Sequence, residues 1–196
     1  MIEVPTPHGP ARIELHPAPG ARQALVLGHG AGGGIGAGDL VAARDAALGL
    51  GITVALVEQP YRVAGRRSPA PAAQLDVAWL AVTSWLGGHL GGPGLICGGR
   101  SSGARVACRT ASAAGAQAVL CLAFPLHPPG RPEKTRLPEL EGVEVPTLVV
   151  QGQSDPFGMP PEGQNRTVAV VPGNHSLRSL ARVRDAVVGW LCQLIR

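Results

Sequence analysis

The sequence predicts an α/β protein: a doubly wound, mostly parallel sheet of about six to seven strands, in a single domain spanning 1–196. Two observations lead there. Short apolar, β-branched runs alternate with longer stretches of helical apolar spacing. Strands separated by helices pair in parallel, because antiparallel neighbours need only tight hairpins. The strand runs are also apolar throughout, so both faces of the sheet must be covered. With 196 residues the chain is long enough to bury a core without staples.

The elements follow in chain order. Arg12-Ile13-Glu14-Leu15-His16 alternates and is expected as an antiparallel edge. Gln23–Leu27 is the first buried strand. Asp39 is expected to cap a helix running to about Leu50, with Leu40, Ala43, Ala47 and Leu50 on one face. Thr53–Val57 is the next strand, followed by a loop of Pro, Gly and Arg from Gln59 to Pro71. Leu75, Ala78/Trp79, Val82 and Leu86 repeat at helical spacing, which places Trp79 in the core. Gly94–Cys97 is a strand and Ser101 to about Ala114 a helix. Ala118–Ala123, Pro146–Val150 and Thr167–Val171 are strands. Leu177, Leu180, Val183, Val187, Leu191 and Leu194 form the stripe of a last helix. The Pro-rich segment from His127 to Val145 is too short for an inserted domain and reads as a surface excursion.

Composition excludes several classes. Glycine and proline together make up about a quarter of the chain, yet 45% of residues are apolar and periodically placed, which argues against disorder. The net charge is +4 and aromatic content 3%. Lys134 is the only lysine and the arginines are scattered, so a nucleic-acid surface with a basic stripe and stacking rings is not expected. Cys97, Cys108, Cys121 and Cys192 lack C-x-x-C spacing and lie in apolar stretches, so neither a metal site nor a disulfide framework is expected. No run of 18 apolar residues and no charged-then-apolar leader is present, so a cytoplasmic protein without membrane contact is expected. Asn165-Arg166-Thr167 matches a glycosylation acceptor, which carries no weight in that compartment.

In such a sheet, ligands bind beyond the carboxyl ends of the strands. Gly99-Arg100-Ser101-Ser102-Gly103 is G-x-S-x-G between a strand and a helix. A sharp turn there lifts a serine hydroxyl above the sheet, and flanking glycines relieve the crowded backbone. The bland reading is a Gly/Ser-rich helix cap. Asp155 follows a later strand; alone it is most simply an Asx-turn before Pro156. His175 follows the last strand; alone it is an ordinary surface histidine. Together, Ser, Asp and His in that chain order, each at a strand end, match the arrangement of a nucleophile, an orienting acid and a general base. Acyl transfer also needs two backbone N–H groups facing the developing oxyanion. Ser102 N–H is expected to supply one. The His29-Gly30-Ala31-Gly32-Gly33 loop is expected to supply the other, from Ala31 first and Gly32 second.

The same loop carries a rival. Gly28-x-Gly30-x-x-Gly33 is a G-x-G-x-x-G after a strand, and Glu58 ends the next strand where a dinucleotide-binding domain places its ribose-binding acid. That reading leaves Ser101, Asp155 and His175 unexplained. No lysine follows the glycines, so a phosphate-binding P-loop is excluded. Arg62, Arg66 and Arg67 lie after the second strand; Arg62 is a pocket candidate for an acidic substrate group, although a solvated basic loop is the simpler reading. His29, Gly30, Gly32 and His127, also after strand ends, are further pocket candidates, with a structural role in the Pro-rich turn the simpler reading for His127.

Several of these segments, longer than the pentapeptide alone, resemble the α/β-hydrolase superfamily. They are Leu27–Gly33, Glu58–Arg62, Gly98–Gly103, Phe124–Gly130 and Gln151–Gly158. More narrowly the chain resembles the small, lid-less branch related to dienelactone-hydrolase-like proteins and to animal testis-expressed homologues. Position 102, often Met in relatives, is Ser here, which leaves its backbone amide unchanged. The resemblance implies an α/β-hydrolase fold with no lid domain, Ser101 as nucleophile, Asp155 as acid and His175 as base. The expected function is a serine esterase acting on a small-molecule ester, thioester or lactone, with no cofactor. The alternative is a hydrolase-fold binding or scaffold protein with a vestigial triad.

Overall fold

Apolar runs separated by helix-forming stretches can pair only in parallel, and in the computed structural model they do. It describes residues 1–195. The strands are β1 (Ile2–Val4), β2 (Ala11–His16), β3 (Gln23–Gly28), β4 (Thr53–Glu58), β5 (Gly94–Arg100), β6 (Ala116–Leu122), β7 (Thr147–Gly152) and β8 (Arg166–Val171). The helices are α1 (Gly38–Gly49), α2 (Pro60–Val63), α3 (Ala72–His89), α4 (Ser102–Thr110), α5 (Leu137–Glu141) and α6 (Leu180–Leu194). All eight strands join one sheet in the order β1-β2-β4-β3-β5-β6-β7-β8. From β4 to β8 in that order the pairing is parallel; β1 and β2 are antiparallel.

The two faces of the sheet bury two cores. Ala24, Val26, Cys97, Val119, Cys121 and Val149 face α3 and α4, around Trp79 and Leu86. Leu25, Leu27, Ile96, Leu120, Leu148 and Val150 face α1 and α6, around Leu40, Val187 and Leu191. Neighbouring residues of one strand thus serve opposite faces, which is why the runs are apolar without alternation. Full burial of each Leu or Val side chain contributes about 1.5–3 kcal/mol.

Several details differ from expectation. The sheet has eight strands rather than six to seven, because β1, three residues long, pairs outside β2 with Ile2 opposite Ile13. So short a strand carries no readable alternation, and β2 is not the edge. Asp39 does not cap α1; the cap is Ala37, and Asp39 sits in the first turn with its carboxylate bound to Arg100. The loop after β4 opens with the short helix α2, with proline at its first turn. The helix after Ser101 stops at Thr110, and the chain turns through Gly115 (φ 63°) into β6. Leu177 is buried, but in the turn before α6 and at φ 45°. The Pro-rich excursion carries only the five-residue α5. Among the described residues no helix is long and apolar enough to cross a membrane.

Candidate active site

The carboxyl ends of the central strands lie level. Gly28 of β3 is opposite Gly99 of β5, and Arg100 is opposite Leu122 of β6. The Ser101 N–H donates to the Leu122 carbonyl at 2.9 Å, extending the ladder by one bond. The chain then turns sharply into α4. Ser101 holds φ 52° and ψ −108°, a conformation that costs a side-chain-bearing residue about 1–3 kcal/mol. Gly99 and Gly103 make the turn possible: a β-carbon on either would run into the Gly28 backbone. The result is a serine raised above the sheet at the start of a nine-residue helix.

Ser101 meets two residues from far along the chain. His175 Nε2 is 3.0 Å from Ser101 Oγ, and His175 Nδ1 is 2.8 Å from Asp155 Oδ2. The carboxylate accepts, so Nδ1 carries the hydrogen and Nε2 is left to accept the serine hydroxyl proton. The Asp155 side chain is fully buried. Its oxygens accept from Phe157 N–H (2.8 Å) and Gln151 Nε2 (2.9 Å) as well as from the histidine. Phe157 lies over the imidazole, ring centres 4.2 Å apart.

The glycine loop after β3 packs against the serine. A β-carbon on Gly30 would sit 3.7 Å from Ser101 Cβ. Tyr61 Oη donates to the Ala31 carbonyl at 3.0 Å. Among the described residues the Ala31 and Ser102 amide hydrogens have no intramolecular acceptor. Gly32 is exposed at the rim. His29 is buried beneath the loop and does not face the open site: Nδ1–H donates to the Gly30 carbonyl at 2.8 Å and Nε2 accepts the Gln59 N–H at 3.1 Å. Burial holds its pKa below the usual 6.5, so it is a neutral brace between the β3 and β4 ends. Behind the elbow a cavity of about 10 Å³, lined by His29, Gln59, Tyr61, Trp79 and Ser102, holds no more than one water.

The remaining candidates are placed differently. His127 is occupied by structure: Nδ1 donates to the Pro128 carbonyl at 2.9 Å and the ring packs on Gly158. Arg62 reaches back to the Arg66 carbonyl at 3.5 Å within its own loop. The dinucleotide reading fails on topology. α1 begins at Gly38, beyond the glycines, whereas that motif opens directly into its helix. β5 lies directly beside β3, where the dinucleotide order would put a later strand. Sequence reasoning missed Gln151, Phe157 and the pair Arg100–Asp39 (2.9 Å). Gln151 and Arg100 stand at strand ends where the other candidates were sought, but no motif marks them. No group of three or more His, Cys, Asp or Glu side chains converges as a metal site among the described residues.

A strained serine between a central parallel strand and a helix, with aspartate and histidine from beyond the ends of β7 and β8, defines an α/β-hydrolase architecture. The family model described as Alpha/beta hydrolase domain matches residues 21–184, and the chain belongs to that family. No curated protein matches the sequence. Among solved structures, XC6422 from Xanthomonas campestris, described as an a/b serine hydrolase without lid, is similar over 98% of this chain and 93% of its own, with 22% identity and a TM-score of 0.81. Est1E from Butyrivibrio proteoclasticus is similar over 99% and 98%, with 15% identity and a TM-score of 0.81. A dienelactone hydrolase from Anabaena variabilis is similar over 98% and 95%, with 16% identity and a TM-score of 0.75. These three structures share the fold of this chain.

Proposed function

We propose that the protein is a serine hydrolase of esterase type, cleaving a small-molecule ester, thioester or lactone through an acyl-enzyme on Ser101. The observation that carries this is the unbroken path from Ser101 Oγ to His175 Nε2 (3.0 Å) and from His175 Nδ1 to Asp155 Oδ2 (2.8 Å). In this reading His175 takes the Ser101 proton as Oγ attacks the carbonyl carbon. The tetrahedral oxyanion is held by the Ser102 and Ala31 amides. His175 then returns the proton to the leaving alcohol or thiol, and water, activated by the same base, releases the acid. Asp155 fixes the Nδ1–H tautomer and stabilises the imidazolium. Four free cysteines, two with Sγ atoms 3.4 Å apart, fit a reducing compartment, and we read the enzyme as cytoplasmic.

A fluorophosphonate probe tests the assignment. It is expected to label wild-type protein on Ser101 and not to label Ser101→Ala or His175→Gln. A panel of short acyl esters, thioesters and lactones, run beside Ser101→Ala, then defines the acyl group. Folded wild-type protein that takes no label and turns over none of the panel overturns the hydrolase and leaves a binding module.

A further inference from the structure

Arg100 precedes Ser101 and touches no reacting atom, yet its guanidinium meets the first turn of α1, the His175 loop and the glycine loop. Nε donates to Asp39 Oδ2 at 2.9 Å and Nη2 donates to the His175 carbonyl at 3.1 Å. Nη1 lies against Gly30, where a β-carbon would meet it at 3.0 Å. Asp39 is the anchor. Its side chain is 1% exposed, and its Oδ1 accepts the Leu40 N–H at 2.9 Å. Burial raises its carboxyl pKa more than Arg100 lowers it, so the ion pair is held at a cost. A pair of this kind adds little net stability, which leaves its geometry to be explained.

Apart from the His175 ring, the other hydrogen bonds of the His175 loop lie on its Asp155 side or within itself, and Leu177 anchors its far end in the core. Ser154 N–H and Oγ both donate to the Gly173 carbonyl. Leu177 N–H donates to Asn174, and Ser179 Oγ to Pro172. Only Arg100, among the described residues, bonds the His175 backbone to the serine turn. We propose that Arg100, held by Asp39, is a positioning residue that sets the distance between His175 Nε2 and Ser101 Oγ. The inference rests on the hydrolase reading and deepens it. The fork is essential to the geometry: two bonds leave different nitrogens at a fixed angle, which a lysine ammonium cannot reproduce.

The test compares Arg100→Met, Arg100→Lys, Asp39→Asn and the neutral double variant Asp39→Asn/Arg100→Met with wild type. The double variant matters because Arg100→Met alone strands a buried carboxylate. An ester turned over by the wild type is the substrate. We expect kcat to fall about a hundredfold in Arg100→Met, the scale of a misplacement near 1 Å, with KM within about threefold. Arg100→Lys restores only part of the loss, and the double variant is no worse than Arg100→Met. A second readout needs no turnover. The ¹⁵N resonance of His175 Nε2, assigned by its loss in His175→Gln, is expected to move in Arg100→Met to its position in Ser101→Ala, while Nδ1 stays put. A merely structural arginine would not move that resonance selectively. Folded Arg100→Met or double variant with wild-type kcat, or with an unmoved Nε2 resonance, overturns the proposal. Wild-type protein that takes no fluorophosphonate overturns the hydrolase reading instead, and the Nε2 resonance then decides the clamp alone.

Discussion

Gly103→Ala isolates the contact between the serine turn and the glycine loop. Gly103 is the second residue of α4, so helix propensity alone favours alanine by about 0.5–1 kcal/mol. The packing opposes it. The new β-carbon would lie 2.6 Å from the Gly28 carbonyl carbon, nearer still to its oxygen, and 2.9 Å from the His29 oxygen. Ordinary contact begins at 3.4 Å, so α4 and the end of β3 must separate by about 1 Å, and these obstacles are backbone. Overpacking of this size costs about 1–3 kcal/mol. That outweighs the propensity gain and lowers Tm by roughly 2–4 °C per kcal/mol in a chain of this length. The same displacement carries Ser101 away from the Ala31 amide, and a misplacement near 1 Å costs about a hundredfold in rate. Gly87→Ala in α3 is the control, with nothing within 4 Å of its β-carbon, and is expected to raise Tm slightly and leave the rate unchanged. The assays are thermal unfolding by circular dichroism and the rate of ester hydrolysis or fluorophosphonate labelling. Gly103→Ala with wild-type Tm and rate would show that α4 and β3 do not meet as described.

Three further outcomes are expected. Gln151→Met removes the amide that faces Asp155 Oδ2, Phe124 O and Gly158 O. It should cost about 1–3 kcal/mol in urea unfolding and lower kcat, and an unchanged midpoint and kcat would refute the bracing role. His29 is held neutral below its ordinary 6.5 by burial, so the unfolded chain binds its proton first. Its contribution to stability is therefore complete above about 6.5 and declines as pH falls towards the native value. Unfolding free energy measured between pH 7.5 and 5.5 should fall less steeply in His29→Gln; equal slopes would be inconsistent with a buried neutral imidazole. Burial pushes the Cys97 thiol up to about 12, and Cys108 and Cys121 are also buried while Cys192 is half-buried. An aromatic disulfide reagent should titrate Cys192 first in native protein and all four thiols only after unfolding; fast reaction of a second thiol would contradict the packing.

The sheet was legible because its strands are buried on both faces and write uninterrupted apolar runs, as in Leu25-Val26-Leu27 and Val119-Leu120-Cys121-Leu122. The failures have the same physical root. β1 has three residues, too few for any periodicity, and its place outside β2 is fixed by pairing rather than by pattern. Asp39 looked like a helix cap because carboxylates usually serve there; a guanidinium 61 positions away claims it instead. The meeting of Ser101, Asp155 and His175 was readable because each follows a strand, and strand ends converge in a parallel sheet. Gln151 and Arg100 occupy such ends too, but each works through hydrogen bonds to backbone carbonyls and buried carboxylates, which leave no signature in residue spacing. His29 drew attention as a site residue through its position, whereas its two ring nitrogens are both committed to backbone.

The strain at Ser101 bears on the choice between the proposed catalysis and scaffolding. A residue with a β-carbon at φ 52° is disfavoured by about 1–3 kcal/mol, and glycine at this position would relieve it without disturbing either core. A binding module gains nothing from the hydroxyl and would be more stable without it. What the serine provides is an oxygen at 3.0 Å from an imidazole whose other nitrogen is committed to a buried carboxylate. Several neighbouring groups also bear on where that oxygen lies. The ladder bond to Leu122 fixes the backbone, Gly99 and Gly103 admit the tight approach to β3, and Arg100 ties the turn to the histidine loop. Gly103 and Arg100 also serve packing and a buried carboxylate, so it is the strained hydroxyl itself, aligned on His175, that favours the catalytic reading of the site over the vestigial one.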